Sequence, residues 1–246
     1  ISDPIVGAFS DRFKSRWGRR HPLMLFSALP LAISFYCLYQ PPDGLTETGL
    51  FVWFLTFMVL MRTAKTFYTV PHAALGAEMT EDYHERTSIF GYNSVVGMIA
   101  GIGFGLLILL VIFPSTPDYS NGLLDESRYF FLAAFGALVI IVSLFVCTFG
   151  TRDQIPYLHQ PPPRQIRFKE YFDEIWKLLC NRSYIAVCVS WLVISASIGI
   201  LNVVSTYTYI YAFELSTEQL TIARFVSLPG ILIVLPLSAY LTKLFD

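Results

Sequence analysis

"SDRFKSRWGRRHP", residues 10 to 22, places five cations between Arg12 and Arg20. It belongs to a chain of 246 residues that is 54% hydrophobic and 14% charged, with a formal net charge of -1. Soluble domains carry roughly 25% charged residues, and the mean hydropathy here is +0.56. Most side chains therefore meet lipid, and the basic cluster marks a boundary at which the chain leaves it. What that boundary faces decides how the rest of the chain is threaded.

Six complete apolar segments can be read, at about 22–40, 50–76, 89–113, 128–149, 183–212 and 218–242, with a partial one ending near Ser10. Runs of about twenty residues match a ~30 Å hydrocarbon core at 1.5 Å per residue. Continuous apolar character without alternation means helices rather than barrel strands. The opening "ISDPIVGAFS" and the closing "LTKLFD" lack a leader pattern and stop beside apolar runs, which reads as an internal stretch of a longer membrane protein.

Between the spans, charge alternates. The cluster from Arg12 to Arg20 is followed by "PPDGLTETG" without a cation, then by "EMTEDYHERTS" with Arg86, then by the acidic "PSTPDYSNGLLDES". The connection at 150–182 holds Arg152, Arg164, Arg167, Lys169, Lys177 and Arg182. Cations favour the cytoplasmic side, so the first, third and fifth connections are expected inside, and Arg12 to Arg20 face cytoplasm and anionic headgroups. The fifth connection also runs from "QPPPRQ" into an apolar stripe over 166–179, the pattern of a linker and an amphipathic helix lying on the inner membrane surface. It divides the chain into 1–149, 150–182 and 183–246.

Catalytic and metal-binding patterns do not appear. There is no HExxH, and Cys37, Cys147, Cys180, Cys188, His72 and His84 lack partners at ligand spacing. "GMIAGIGFG" at 97–105 lies inside an apolar run, where small residues serve close helix packing rather than nucleotide binding. Asn181-Arg-Ser183 has the pattern of a glycosylation acceptor but falls on the expected cytoplasmic side.

The segment "DPIVGAFSDRFKSRWGRRHP" resembles the loop after the second helix of major facilitator transporters, with Gly7, Asp11, Arg12, Gly18, Arg19 and Arg20 on the pattern. Its longer form, from Asp3-Pro4 to Arg16-Trp17-Gly18-Arg19-Arg20, is similar to the glycoside-pentoside-hexuronide:cation symporter (melibiose permease-like) family. "VPHAALGAEMTEDYHERTSIFGY", residues 70–92, resembles that family's loop between its fourth and fifth helices. The resemblance implies an all-α integral membrane fold, a major facilitator fold fragment running from the end of helix 2 through helix 8 of an expected twelve. Residues 1–149 are then most of an N-terminal six-helix bundle, 150–182 the cytoplasmic central loop, and 183–246 the start of the C-terminal bundle. It also implies secondary transport of a sugar, glycoside or hexuronide by alternating access, with substrate near the midplane between bundles. A lysolipid or other organic anion on the same scaffold is the alternative, and a membrane receptor or enzyme the least favoured reading.

Site expectations follow from charge in the spans and from the resemblance together. Ionisable residues cost ~2.5–3.5 kcal/mol each at a helix centre, so Asp3, Arg62 and Lys65 are functional candidates; Arg224, near an outer end, is read as snorkelling. The family's cation site, aligned on Pro71 and Arg86, maps to Asp3, Thr66 and Thr69; its helix-four acid falls on Thr69, its sugar-stacking Trp on Ala73 and its helix-five Arg near Ser94. With Lys65 beside them as a partner for Asp3, the coupling ion is expected to be a proton rather than sodium, with no other cofactor and no metal. Arg62 is expected to take a substrate carboxylate, and Tyr68, Asn202, Tyr207 and Tyr211 to offer hydrogen bonds and stacking. Asp11, Arg12, Arg19 and Arg20 with Glu78, Asp82, Glu85 and Arg86 are expected to form a cytoplasmic latch. The partners are a small-molecule sugar and the lipid bilayer, with no nucleic acid, for a monomer in the cell membrane.

Overall fold

The computed structural model describes residues 6–7, 9–10, 15, 17–80, 82–157 and 180–226. Asp3, Asp11, Arg12, the stripe at 166–179 and the last apolar run beyond 226 lie outside the described residues. Those described form helices α1 (His21–Tyr39), α2 (Glu47–Glu78), α3 (Tyr83–Leu107), α4 (Tyr129–Gly150), α5 (Arg182–Tyr207) and α6 (Thr217–Phe225). Among the described residues, five stretches are long and apolar enough to cross a membrane: His21–Tyr39, Glu47–Glu78, Glu85–Ile112, Glu126–Gly150 and Arg182–Ala212. They coincide with the first five apolar segments read from the sequence.

Local signals explain the ends. Pro22 occupies the first turn of α1, where its missing N–H costs nothing. The Thr46 side chain accepts from Gly49 N–H at 3.2 Å to start α2. Asn181 accepts from the N–H groups of Ser183 and Tyr184 at 3.0 and 3.3 Å, so the glycosylation-like triplet is the cap of α5. Ser216 and Gln219 form a reciprocal capping box on α6. Helices α3 and α5 both finish in a five-residue π-turn, Ile108–Ile112 and Thr208–Ala212. After the second, Glu214 takes φ +49° and Leu215 N–H returns to Tyr209 C=O at 3.0 Å, a left-handed ending one residue wider than the Schellman motif, in which Glu stands where Gly is usual.

Packing divides the chain into two compact units: Ile1–Ile108 with Glu126–Pro162, and Leu109–Asp125 with Pro163–Asp246. In the first, α1 is the central element and packs on both α2 and α4. Its buried face is rich in small residues, Ser27, Ala28, Ala32 and Ser34, which let neighbouring backbones approach in the absence of a hydrophobic drive between helices. On α4, Gly136 is pressed against the Phe35 ring so closely that a Cβ there would overlap it. Trp53 Nε1 donates to the Cys37 carbonyl at 2.7 Å, and Tyr39 stacks on Tyr129 with ring centroids 6.2 Å apart. At the other end of these helices His21 Nε2 lies 3.0 Å from Thr151 Oγ1 and 3.2 Å from Thr151 O. The Thr151 hydroxyl donates to Cys147 C=O at 2.8 Å, so both atoms facing the imidazole are acceptors and Nε2 carries the proton.

In the second unit α5 has no buried residue among those described, and Trp191, Leu192 and Leu201 stand open. In water such a surface would be an anomaly; beside lipid tails or further helices it is the ordinary exterior of a span. Its buried contacts gather instead in the connection after α3 and in α6, where Phe113 and Asn121, and Thr217 and Leu220, are almost fully enclosed.

Overpacking costs typically ~1–3 kcal/mol. Gly136→Val is therefore expected to lower the thermal midpoint of the detergent-solubilised protein by several degrees, whereas Gly103→Val, which meets nothing within 4 Å, leaves it near the starting value. Parallel melts of the two variants check this.

Candidate functional site

Helix α2 has two unlike faces. At 100° per residue, Arg62, Lys65, Thr66 and Thr69 fall within an arc of about 100°, at the i, i+3, i+4 and i+7 positions of one stripe. Its buried residues, Ala64, Pro71 and Leu75, lie on the opposite side. Arg62, Lys65 and Thr69 are exposed, and Thr66 half-buried. Arg62 stands at the middle of the 32-residue helix, roughly 23 Å from either end at 1.5 Å per residue. Two cations at that depth do not face hydrocarbon; they border a hydrated or protein-lined space. The Thr66 hydroxyl donates to Arg62 C=O at 3.2 Å.

Tyr68 lies on the packed side of α2 rather than on this stripe. It is half-buried and stacks on His72 with ring centroids 5.2 Å apart. The structure therefore places Tyr68 on a different side of α2 from Arg62, with which the sequence grouped it for substrate binding. An apolar cleft of about 670 Å³ runs between α1 and α2, lined by Phe26, Pro30, Ile33, Phe57, Leu60 and Phe67 among others. Phe26 and Ile33 are strongly exposed there, and a cleft of that composition suits acyl chains rather than hydroxyl-rich solutes.

In the second unit Tyr207 and Tyr211 stack with centroids 5.9 Å apart and planes 16° from parallel; both are exposed. Asn202 is about 140° around the helix from Tyr207, so these three do not form one face. Asn202 Nδ2 is committed to Ile198 C=O at 2.8 Å. The residues that do share its side are Ser205 and Thr206, and Arg224 Nη2 donates to Thr206 Oγ1 at 2.7 Å. Arg224 thus reaches inward to a hydroxyl instead of snorkelling as the sequence had implied. A polar stripe at i, i+3 and i+4 was visible in "NVVST" and would have found Ser205 and Thr206.

At the inner end of the first unit, Glu78 collects both arginines of the basic loop. Arg19 Nη2 and Arg20 Nη2 donate to the same Oε1, at 3.0 and 2.5 Å. Arg20 is buried and its partner mostly covered, a setting in which charge-assisted bonds are stronger than at a surface. The other expected members are engaged elsewhere: Thr80 Oγ1 donates to Glu85 Oε2 at 2.6 Å, and Arg86 Nη2 donates to Thr80 C=O at 3.2 Å. Asp82 N–H donates to Thr80 Oγ1 at 3.2 Å. Thr80, unremarked in the sequence, ties the connection to itself.

The MFS/sugar transport protein family matches this sequence over residues 1–245. The chain belongs to that family. Among its relatives, the inner membrane symporter YicJ of Escherichia coli is 28% identical over 77% of this chain and 41% of its own length. A lactose permease of Lactobacillus helveticus is 25% identical over 85% of this chain and 33% of its own. The sodium-dependent lysophosphatidylcholine symporter 1 of Gallus gallus is 31% identical over 42% of this chain and 19% of its own. The chain thus spans less than half the length of the relatives it matches. Members of this family are transporters, not enzymes, and the chain is an all-α, multi-pass protein of the cell membrane.

Within the family frame Glu78 is the shared acceptor on which the inner contact depends. Hydrogen bonds to charged groups contribute about 1.5–3 kcal/mol, and Glu78→Gln weakens two at once. In the intact transporter this variant is expected to speed labelling of an Ala73→Cys reporter from the cytoplasmic side several-fold, with Arg19→Gln giving a smaller increase. Maleimide labelling of inside-out vesicles reads both.

Proposed function

We propose that the protein is a secondary transporter that moves a sugar, glycoside or hexuronide across the cell membrane by alternating access, with the proton as coupling ion. The observation that carries this reading is the α2 stripe: Arg62, Lys65, Thr66 and Thr69 on the face turned away from the helix packing. A guanidinium there offers two parallel N–H groups to a carboxylate, and the threonine hydroxyls suit sugar oxygens or a proton relay. The sugar symporters and permeases among the relatives lie in the same direction.

The coupling proposal rests on Lys65. An ammonium on the stripe beside Thr66 and Thr69 would take the place a bound sodium would need. Asp3, its proposed partner, lies outside the described residues. A second reading is favoured by one observation of its own. The apolar cleft beside Phe57 and Phe67, on the side of α2 opposite Arg62 and Lys65, suits an acyl chain, as carried by the lysophosphatidylcholine named for the Gallus gallus relative.

Uptake by the intact protein in proteoliposomes tests both. Accumulation of a uronide or glycoside driven by an imposed proton gradient and indifferent to sodium supports the first reading. In that case Arg62→Gln reduces uronide uptake about 10-fold or more, in line with a lost charge-assisted pair, and leaves neutral glycosides less affected. Sodium-driven uptake removes the account of Lys65. Uptake of a lysolipid with no sugar movement under either gradient transfers the assignment to the amphipathic anion.

A further inference from the structure

The acidic connection between α3 and α4 is not a free loop. Thr217 N–H donates to Ser120 C=O at 3.3 Å, and Gly122 N–H donates to Thr217 Oγ1 at 2.9 Å. Asn121 Nδ2 donates to Leu215 C=O at 3.1 Å, while its Oδ1 accepts from Leu123 N–H at 3.1 Å. Ser115 Oγ donates to Glu218 Oε1 at 2.6 Å. Four hydrogen bonds therefore join residues about a hundred positions apart. Thr217 is wholly buried and Asn121 exposed by only 2%, so water does not replace those partners when the contact is made.

The fit is as close as the bonding. A Cβ on Gly122 would overlap the Phe113 carbonyl, and Phe113 is itself enclosed. The left-handed Glu214 ends the preceding π-turn just before Leu215, whose carbonyl Asn121 reads. Such backbone conformations persist where the surroundings fix them.

Both partners lie on the outer side. Residues 114–127 contain no Lys or Arg, and neither do 213–217, whereas the basic connections alternate with them on the inner side. One partner leads out of α3 and the other into α6, and the basic connection at 150–182 lies between them in the chain.

We propose that this junction is an outer latch, formed when the transporter is closed to the outside and broken each time it opens. The idea rests on the alternating-access reading but not on the substrate or the coupling ion. Latching through three bonds that involve backbone groups and one from a hydroxyl to the Glu218 carboxylate sets it apart from the ion pairs that Arg19 and Arg20 make at the inner end. Each side of the membrane then has its own bond chemistry, polar and uncharged outside, ionic inside.

The test uses the intact transporter with its native cysteines replaced, carrying Ser115→Cys and Glu218→Cys together with a Met58→Cys reporter, four residues before Arg62 on the outer half of the α2 stripe. Oxidation is expected to cross-link the pair and to cut labelling of the reporter by an impermeant maleimide added outside at least 10-fold, with recovery on reduction. Thr217→Val, which removes the acceptor for Gly122, is expected to raise outside labelling several-fold without any oxidant. Unchanged labelling in the cross-linked protein, or failure of the pair to cross-link, overturns the latch. Because the reporter needs no substrate, absence of sugar uptake in the same vesicles counts against the proposed function and leaves this readout intact.

Discussion

Ionised and polar groups in hydrocarbon must find partners or face away from lipid, and this constraint arranges the molecule more than any apolar contact does. Spans exist because helices satisfy their own backbone. Charges then have three permitted places: the inner rim, where Arg19 and Arg20 share Glu78; the stripe on α2 that turns from its packed side; and a hydroxyl partner inside a unit, as Arg224 has in Thr206. The exposed apolar surfaces of α3 and α5 need no such arrangement, since lipid tails and leucine side chains are nearly equivalent solvents for each other.

Helix α1 shows how the packed part of the first unit is assembled under that rule. It has little amphipathic character, being apolar nearly all round, so size rather than polarity decides which side is buried. Ser27, Ala28 and Ala32 form the side that approaches its neighbours, and Gly136 accepts the Phe35 ring in return. Tryptophan and tyrosine at one end and His21 with Thr151 at the other fix the axial register through Trp53 to Cys37 and His21 to Thr151. Polar atoms there set position, while dispersion between close backbones supplies the attraction.

The spans were legible because length and apolar run are direct consequences of bilayer thickness; the ends of α1, α2 and α5 moved by only a few residues. The stripe on α2 was legible too, since Arg62, Lys65, Thr66 and Thr69 carry their own helical spacing. Tyr68 was misgrouped because aromatic residues fit a packed side as well as a binding side, and composition does not tell the two apart. Asn202, Tyr207 and Tyr211 were grouped by proximity in sequence, although a separation of five residues sends two side chains to different faces. Asn121 and Thr217 gave no signal at all: each looks like an ordinary loop or cap residue, and their importance comes from bonding Leu215 and Gly122 across 94 and 95 positions, which no local pattern encodes. Of the inner cluster, Glu78 was found because it carried charge, and Thr80 was passed over because it did not.

The paired π-turns at Ile108–Ile112 and Thr208–Ala212 carry a consequence for how this chain can vary. A π-turn is one residue more than an α-helix needs, and losing that residue would rotate all that follows by about 100°. Phe113 stands immediately after the first turn and Leu215 three residues after the second, so their orientation depends on a residue count. Substitutions at the exposed positions Leu110, Val111, Tyr211 and Ala212 leave that count unchanged, but a deletion of one codon does not. Variation at those positions should therefore be free in spelling and strict in length, whereas the buried Leu109 and Ile112 constrain both.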